Sequence, residues 1–112
     1  MVKRALSPRP LVDDALKTAG QLVRAGRIER KWPVAELAGR AGVSERTVRA
    51  VEAGSPGSSF ATVLELLYLT GNSPFGVEDP AEMARMRRRG EERLALLPSR
   101  ARKPAVEADD DF

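Results

Sequence analysis

Residues 44 to 50 read S-E-R-T-V-R-A, and their side chains carry the chemistry of reading a polar surface. An arginine can fork two N–H groups onto guanine O6 and N7, and a glutamate can accept from cytosine N4. On a helix, Val48 and Val51 share one face at i, i+3, so Glu45, Arg46, Arg49 and Ala50 fall on the other. Ser44 and Thr47, at the helix start, add hydroxyls suited to a phosphate oxygen. Glu45 and Arg49 also stand at the i, i+4 spacing of an ordinary surface ion pair. That segment alone therefore describes a solvated face as well as a reading face, and its neighbours must decide.

The elements that would hold this face are short. Residues 34 to 41, V-A-E-L-A-G-R-A, predict a two-turn helix burying Leu37, Ala38 and Ala41. Gly42 follows as a left-handed cap, a conformation glycine adopts without strain. Ser44 is an N-cap for a second helix running to Ala53 and stopped by Gly54. Two helices joined this tightly need a small residue where they cross, which Ala38 supplies, and an apolar plug from the second helix, which Val48 supplies. The pattern A-x-x-x-G-x-x-x-x-x-V is the spacing of a helix-turn-helix.

Around this pair the chain reads as helices throughout. Residues 1 to 10, M-V-K-R-A-L-S-P-R-P, form a flexible N-terminal arm without periodicity. From Leu11 to about Arg30, Leu16, Ala19, Val23 and Gly26 make a helical stripe, ended by Trp32-Pro33 because a proline pushes its predecessor out of helical geometry. Pro33 then fits the first turn of the next helix, and Trp32 is expected in the core. S-P-G-S-S at 55 to 59 is turn chemistry. Residues 60 to 70, F-A-T-V-L-E-L-L-Y-L-T, predict a helix apolar nearly all round, with a surplus face for more of the chain or a second subunit. Asp79 and Pro80 open a last helix carrying the stripe Met83, Met86, Leu94 and Leu97, weakened at Gly90 and ended by Pro98. Arg87, Arg88 and Arg89 fan around that helix and read as solvated surface. No strand alternation persists, and the expected fold class is all-α.

Composition narrows the chemistry. The 112 residues suit one modest core. There is no histidine and no cysteine, which removes the commonest general base, the thiolate nucleophile and the commonest metal ligands. With no glycine-rich phosphate cradle either, the expectation is a protein that is not an enzyme and uses no metal and no cofactor. No stretch of about 18 apolar residues and no signal-peptide pattern stands in the sequence, so no membrane partner and a cytoplasmic, nucleoid-associated location are expected. The net charge of +3 conceals an asymmetry: residues 1 to 104 hold 19 basic against 12 acidic side chains, whereas 105 to 112 hold Glu107, Asp109, Asp110 and Asp111 and no base. A basic body suits a polyanion.

From about residue 19 to 70 the chain resembles the Cro/repressor-type helix-turn-helix family, the Xre family. The resemblance rests on G-Q-L-V-R-A-G-R-I-E-R and A-E-L-A-G-R-A-G-V-S-E-R-T-V-R-A-V-E-A-G. It implies a five-helix domain that binds double-stranded DNA, with a structural pair between the first helix and the recognition helix at Arg27 and Glu52. The sequence departs from the family in two places. Pro33 and Val34 stand where the family has a polar cap and a phosphate-holding glutamine. Ser55, Ser58 and Ser59 stand where its following loop often has lysine or arginine. Phosphate grip would then fall to Ser44, Thr47, Ser58, Ser59, the helix N-termini and Lys31 or Arg24. Modest affinity per monomer follows, so a homodimer on a palindromic operator is expected.

The second half narrows the resemblance. F-G-V-E-D-P-A-E-M-A-R-M-R, L-A-L-L-P-S-R and the terminal D-D-D-F look like the HipB-like antitoxins, which implies an autoregulating repressor and a HipA-like kinase toxin as partner. A phage-type repressor without a toxin, and an interaction module that keeps the shape without binding DNA, are the alternatives. The expected organisation is an arm at 1–10, a helix-turn-helix domain at 11–76, a dimerisation helix at 77–97 and a disordered acidic tail at 98–112.

Overall fold

A computed structural model describes residues 7 to 99. The arm residues 1 to 6 and most of the acidic tail, 100 to 112, lie outside the described residues. Among those described there are five α-helices and no strand: α1 (Pro10–Glu29), α2 (Val34–Ala41), α3 (Glu45–Glu52), α4 (Phe60–Leu69) and α5 (Pro80–Ala95), with a 3₁₀ turn at Pro74–Gly76. The chain divides after Gly76 into two compact units. Five helices and no strand among the described residues agree with the all-α expectation; four of the helices and the short turn lie in the first unit, and the fifth lies in the second.

The first unit is built on a small core of Val23, Leu37, Ala38, Val48, Val51 and Leu66, with Trp32, Val34, Val43, Val63 and Leu67 packed around it. Three of its four helices, α2, α3 and α4, have only 8, 8 and 10 residues, so close approach to the longer α1 must supply what their length does not. A Cβ on Gly20 would lie 2.4 Å from the Val51 carbonyl oxygen, and one on Gly26 would lie 2.1 Å from that of Thr70. The first helix thus runs backbone-close to the end of α3 and to the end of α4. Ala38 is 4 % exposed.

The helix ends explain the local geometry. Pro10 opens α1 instead of closing the arm, since its missing N–H falls where no intrahelical partner exists. The first helix stops at Glu29, before Trp32-Pro33 can act. Lys31 takes a left-handed φ of 60°, its N–H donates to the Ile28 carbonyl (2.9 Å) and the Trp32 N–H to that of Arg27 (3.1 Å). This is a Schellman closure made with lysine where glycine is usual. Gly42, at φ 70°, closes α2 the same way, with the Val43 N–H on the Ala38 carbonyl at 3.0 Å.

The second unit contains α5. Asp79 Oδ1 accepts from the Ala81 N–H at 3.0 Å, and Pro80 sits in the first turn. Arg85 pairs with Glu82, Arg87 with Glu91, and Arg89 approaches Glu82 at 3.8 Å. The Arg85 guanidinium, by hydrogen bond and then by charge, holds the Glu82 carboxyl below its ordinary range.

Candidate nucleic-acid interface

The third helix is anchored by Val48 at 0 % and Val51 at 3 % exposure. Ser44 caps it: its Oγ accepts from the Thr47 N–H at 3.1 Å and lies 2.9 Å from Thr47 Oγ1. With the valines inward, Glu45, Arg46 and Arg49 are exposed and Ala50 is half-buried. Arg46 enters no hydrogen bond or ion pair among the described residues. Arg49 donates to Glu45 at 3.2 Å, one turn back on the same helix. Exposed pairs of this kind contribute only about 0.3–0.5 kcal/mol, so the guanidinium is held loosely.

Arg27 and Glu52 meet between α1 and α3. Arg27 Nε donates to Glu52 Oε2 at 2.6 Å, Nη2 to Oε1 at 3.1 Å, and Nη1 to the Trp32 carbonyl at 2.9 Å. The side chains are 12 % and 9 % exposed. Glu52's hydrogen bond raises the arginine's pKa above its ordinary value, against the opposing effect of burial. All three of its nitrogens are engaged, so Arg27 acts as a clasp.

An open cleft of about 330 Å³ runs beside this pair, lined by Arg24, Arg27, Val34, Arg49, Glu52 and Ala53. Arg24 is exposed and makes no hydrogen bond or ion pair among the described residues. Lys31 is exposed at the turn between α1 and α2. Arg40 stacks over Trp32 with its guanidinium 4.2 Å from the ring centre, and Arg30 stands at 5.7 Å.

The serine loop departs from what the sequence implies. Ser58 Oγ is shut off from solvent and has no hydrogen-bond partner among the described residues, so this hydroxyl is not presented to a phosphate. Ser59 is the N-cap of α4, its Oγ accepting from the Thr62 N–H at 3.4 Å. Ser55 Oγ accepts from the Gly57 N–H at 3.3 Å. The loop folds back because a short turn must satisfy its own backbone donors before it can serve a ligand. Ser44 and Thr47, engaged with each other, are likewise part of a cap.

One residue that sequence reasoning passed over is Arg30. Its Nη1 donates to the Gly26 and Thr70 carbonyls at 3.2 and 3.0 Å, tying α1 to the end of α4. Its only sequence signal is a basic residue at a helix end, which commonly satisfies terminal carbonyls.

Comparison with known proteins finds no matching family model, no similar curated protein and no similar solved structure. Among the described residues, no helix is long and apolar enough to cross a membrane.

Proposed function

We propose that the chain is a dimeric, sequence-specific DNA-binding repressor of the Cro/repressor type, with α2 and α3 as its helix-turn-helix. The observation that carries this reading is Arg46: exposed, without a partner among the described residues, and set on the first turn of a helix whose opposite face is locked into the core. A helix presented this way fits a major groove with its N-terminal residues towards the bases. Glu45 and Ala50 share that outer face. The exposed Phe60 and Tyr68 of α4 and the apolar residues of α5 are offered to a second copy, which would align two heads on a palindrome. The antitoxin subtype, with a kinase-like toxin as partner, and association with the nucleoid are supported by the sequence resemblance alone.

The test is a binding titration on a duplex selected from a randomised pool, set against the unselected pool. The reading expects the wild-type chain to prefer the selected duplex, and Arg46→Ala to lower that preference by about 1–3 kcal/mol. Equal binding to both duplexes would reject sequence recognition.

A second reading, an interaction module that does not bind DNA, draws on Val34 and on the closed Ser58 hydroxyl, which together remove two phosphate grips. It predicts no salt-dependent association with either duplex.

A further inference from the structure

The cleft between α1 and α3 is lined by three arginines, Arg24, Arg27 and Arg49, and by one acidic residue, Glu52. The Arg27–Glu52 clasp is internally neutral and uses every nitrogen of Arg27. Two positive charges therefore remain, on Arg24 and Arg49. Arg24 makes no contact that would compete with a ligand. Arg49 makes one, the exposed pair with Glu45 at 3.2 Å, in which its side chain stays 64 % exposed. Arg46, on the same helix, does not line the cleft. The two arginines of α3 thus stand in different settings: one beside a basic cleft and one alone on the outer face.

We infer that this cleft takes one phosphodiester group of the duplex backbone, gripped by Arg24 and Arg49, and that Arg46 alone of the α3 arginines reads a base. The inference rests on the DNA-binding reading above. The cleft wall formed by Val34 has no polar side-chain atom to offer, so the grip must come from the guanidiniums opposite. Two such groups can present paired N–H donors to the two free oxygens of a diester. The clasp beside them ties α1 to α3, so the helix backbones that carry Arg24 and Arg49 are held together while their exposed side chains stay free to adjust to a ligand.

A backbone contact and a base contact leave different marks. Losing one phosphate contact weakens binding alike on every sequence and lowers the slope of log K against log salt by about 0.9. Losing a base contact removes preference between sequences. The experiment measures binding of the full chain to the selected duplex and to the unselected pool across a salt series, for wild type, Arg24→Ala, Arg49→Ala, Arg49→Lys and Arg46→Ala. Arg24→Ala and Arg49→Ala should each weaken both duplexes by the same factor, each with a slope lower by about 0.9. Arg49→Lys, which keeps the charge, should restore the slope. Arg46→Ala should chiefly erase the preference. Both cleft side chains lie outside the core, so melting curves should match wild type and confirm folded protein.

A loss of preference in Arg49→Ala at unchanged slope would make Arg49 a base reader and overturn the inference. Unchanged slopes in both alanine variants would overturn it as well. Failure of the wild type to bind either duplex would reject the DNA-binding reading itself, a separate and recognisable result that takes the cleft with it.

Discussion

Arg27 and Glu52 lie 25 positions apart and are joined by two side-by-side hydrogen bonds, Nε to Oε2 at 2.6 Å and Nη2 to Oε1 at 3.1 Å. This fork clamps the C-terminal end of α1 to that of α3, and the third nitrogen holds the Trp32 carbonyl in the turn that follows. Removing either partner leaves the other charge little exposed and uncompensated. Arg27→Met and Glu52→Leu should each cost about 3 kcal/mol in urea unfolding, and the double variant less than their sum. Additive losses would show that the two side chains act independently.

The glycines of α1 and α2 should respond in opposite directions to alanine. At Gly20 a Cβ would press to 2.4 Å from the Val51 carbonyl, and backbone cannot yield cheaply. Gly20→Ala should lose about 1–3 kcal/mol of stability. At Gly39 a Cβ would meet nothing within 4 Å, and the position is inside a helix. Gly39→Ala should gain about 0.5–1 kcal/mol from reduced backbone freedom in the unfolded chain. Thermal melts of the two variants check the pair of signs.

What could be read in the sequence was what depends on near neighbours. The Ser44 cap, the left-handed Gly42, the inward Val48 and Val51 and the Asp79-Pro80 start are all set by contacts within about one turn of helix. The missed features join distant segments. Nothing near Gly20 announces that α3 will end against it, and the Arg30 bond to Thr70 spans 40 positions. The serine loop is a related case. Ser59 caps α4 through a bond inside that helix's own first turn, whereas the burial of Ser58 Oγ depends on how the whole turn folds back. On α3, the residue types and their side of the helix were legible. The split between Arg46 and Arg49 was not, because it depends on where α1 passes.

Lys31 offers a trade between stability and charge. Its φ of 60° lies in the left-handed region, which is unfavourable for a residue with a Cβ by about 1 kcal/mol. Lys31→Gly should therefore raise the melting temperature, glycine being the usual residue of this closure. If Lys31 also faces a phosphate, the same variant should bind duplex DNA more weakly with a shallower salt slope. A Lys31→Asn variant, which tolerates the conformation without the charge, should show both effects to a smaller and an equal extent respectively.

Acid should act on α5 through Glu82. Its carboxyl is held below its ordinary range by Arg85 and, more weakly, by Arg89. A lowered folded pKa means the stabilisation is present above the unfolded value and is lost as the pH falls through the lowered one. A carbon-13 NMR titration should find the Glu82 midpoint below the ordinary glutamate value, and in Arg85→Ala the midpoint should return towards it. A wild-type midpoint at the ordinary value would mean that the pair does not persist in solution.

Glu45 is the one acidic group on the outer face of α3, and its role can be separated from that of its partner. The pair with Arg49 is exposed on both sides, so Glu45→Gln should change stability by less than about 0.5 kcal/mol. On the proposed DNA-binding function, the effect on DNA should be larger. A carboxylate near a duplex repels phosphates and occupies Arg49, so its neutral isostere should tighten binding to the unselected pool and steepen the salt dependence. If Glu45 accepts from a cytosine amino group, binding to the selected duplex should weaken at the same time, since an amide oxygen accepts less strongly than a carboxylate. Both changes are read in one titration across two duplexes. Tighter binding to both would assign Glu45 to restraining Arg49 and not to reading sequence.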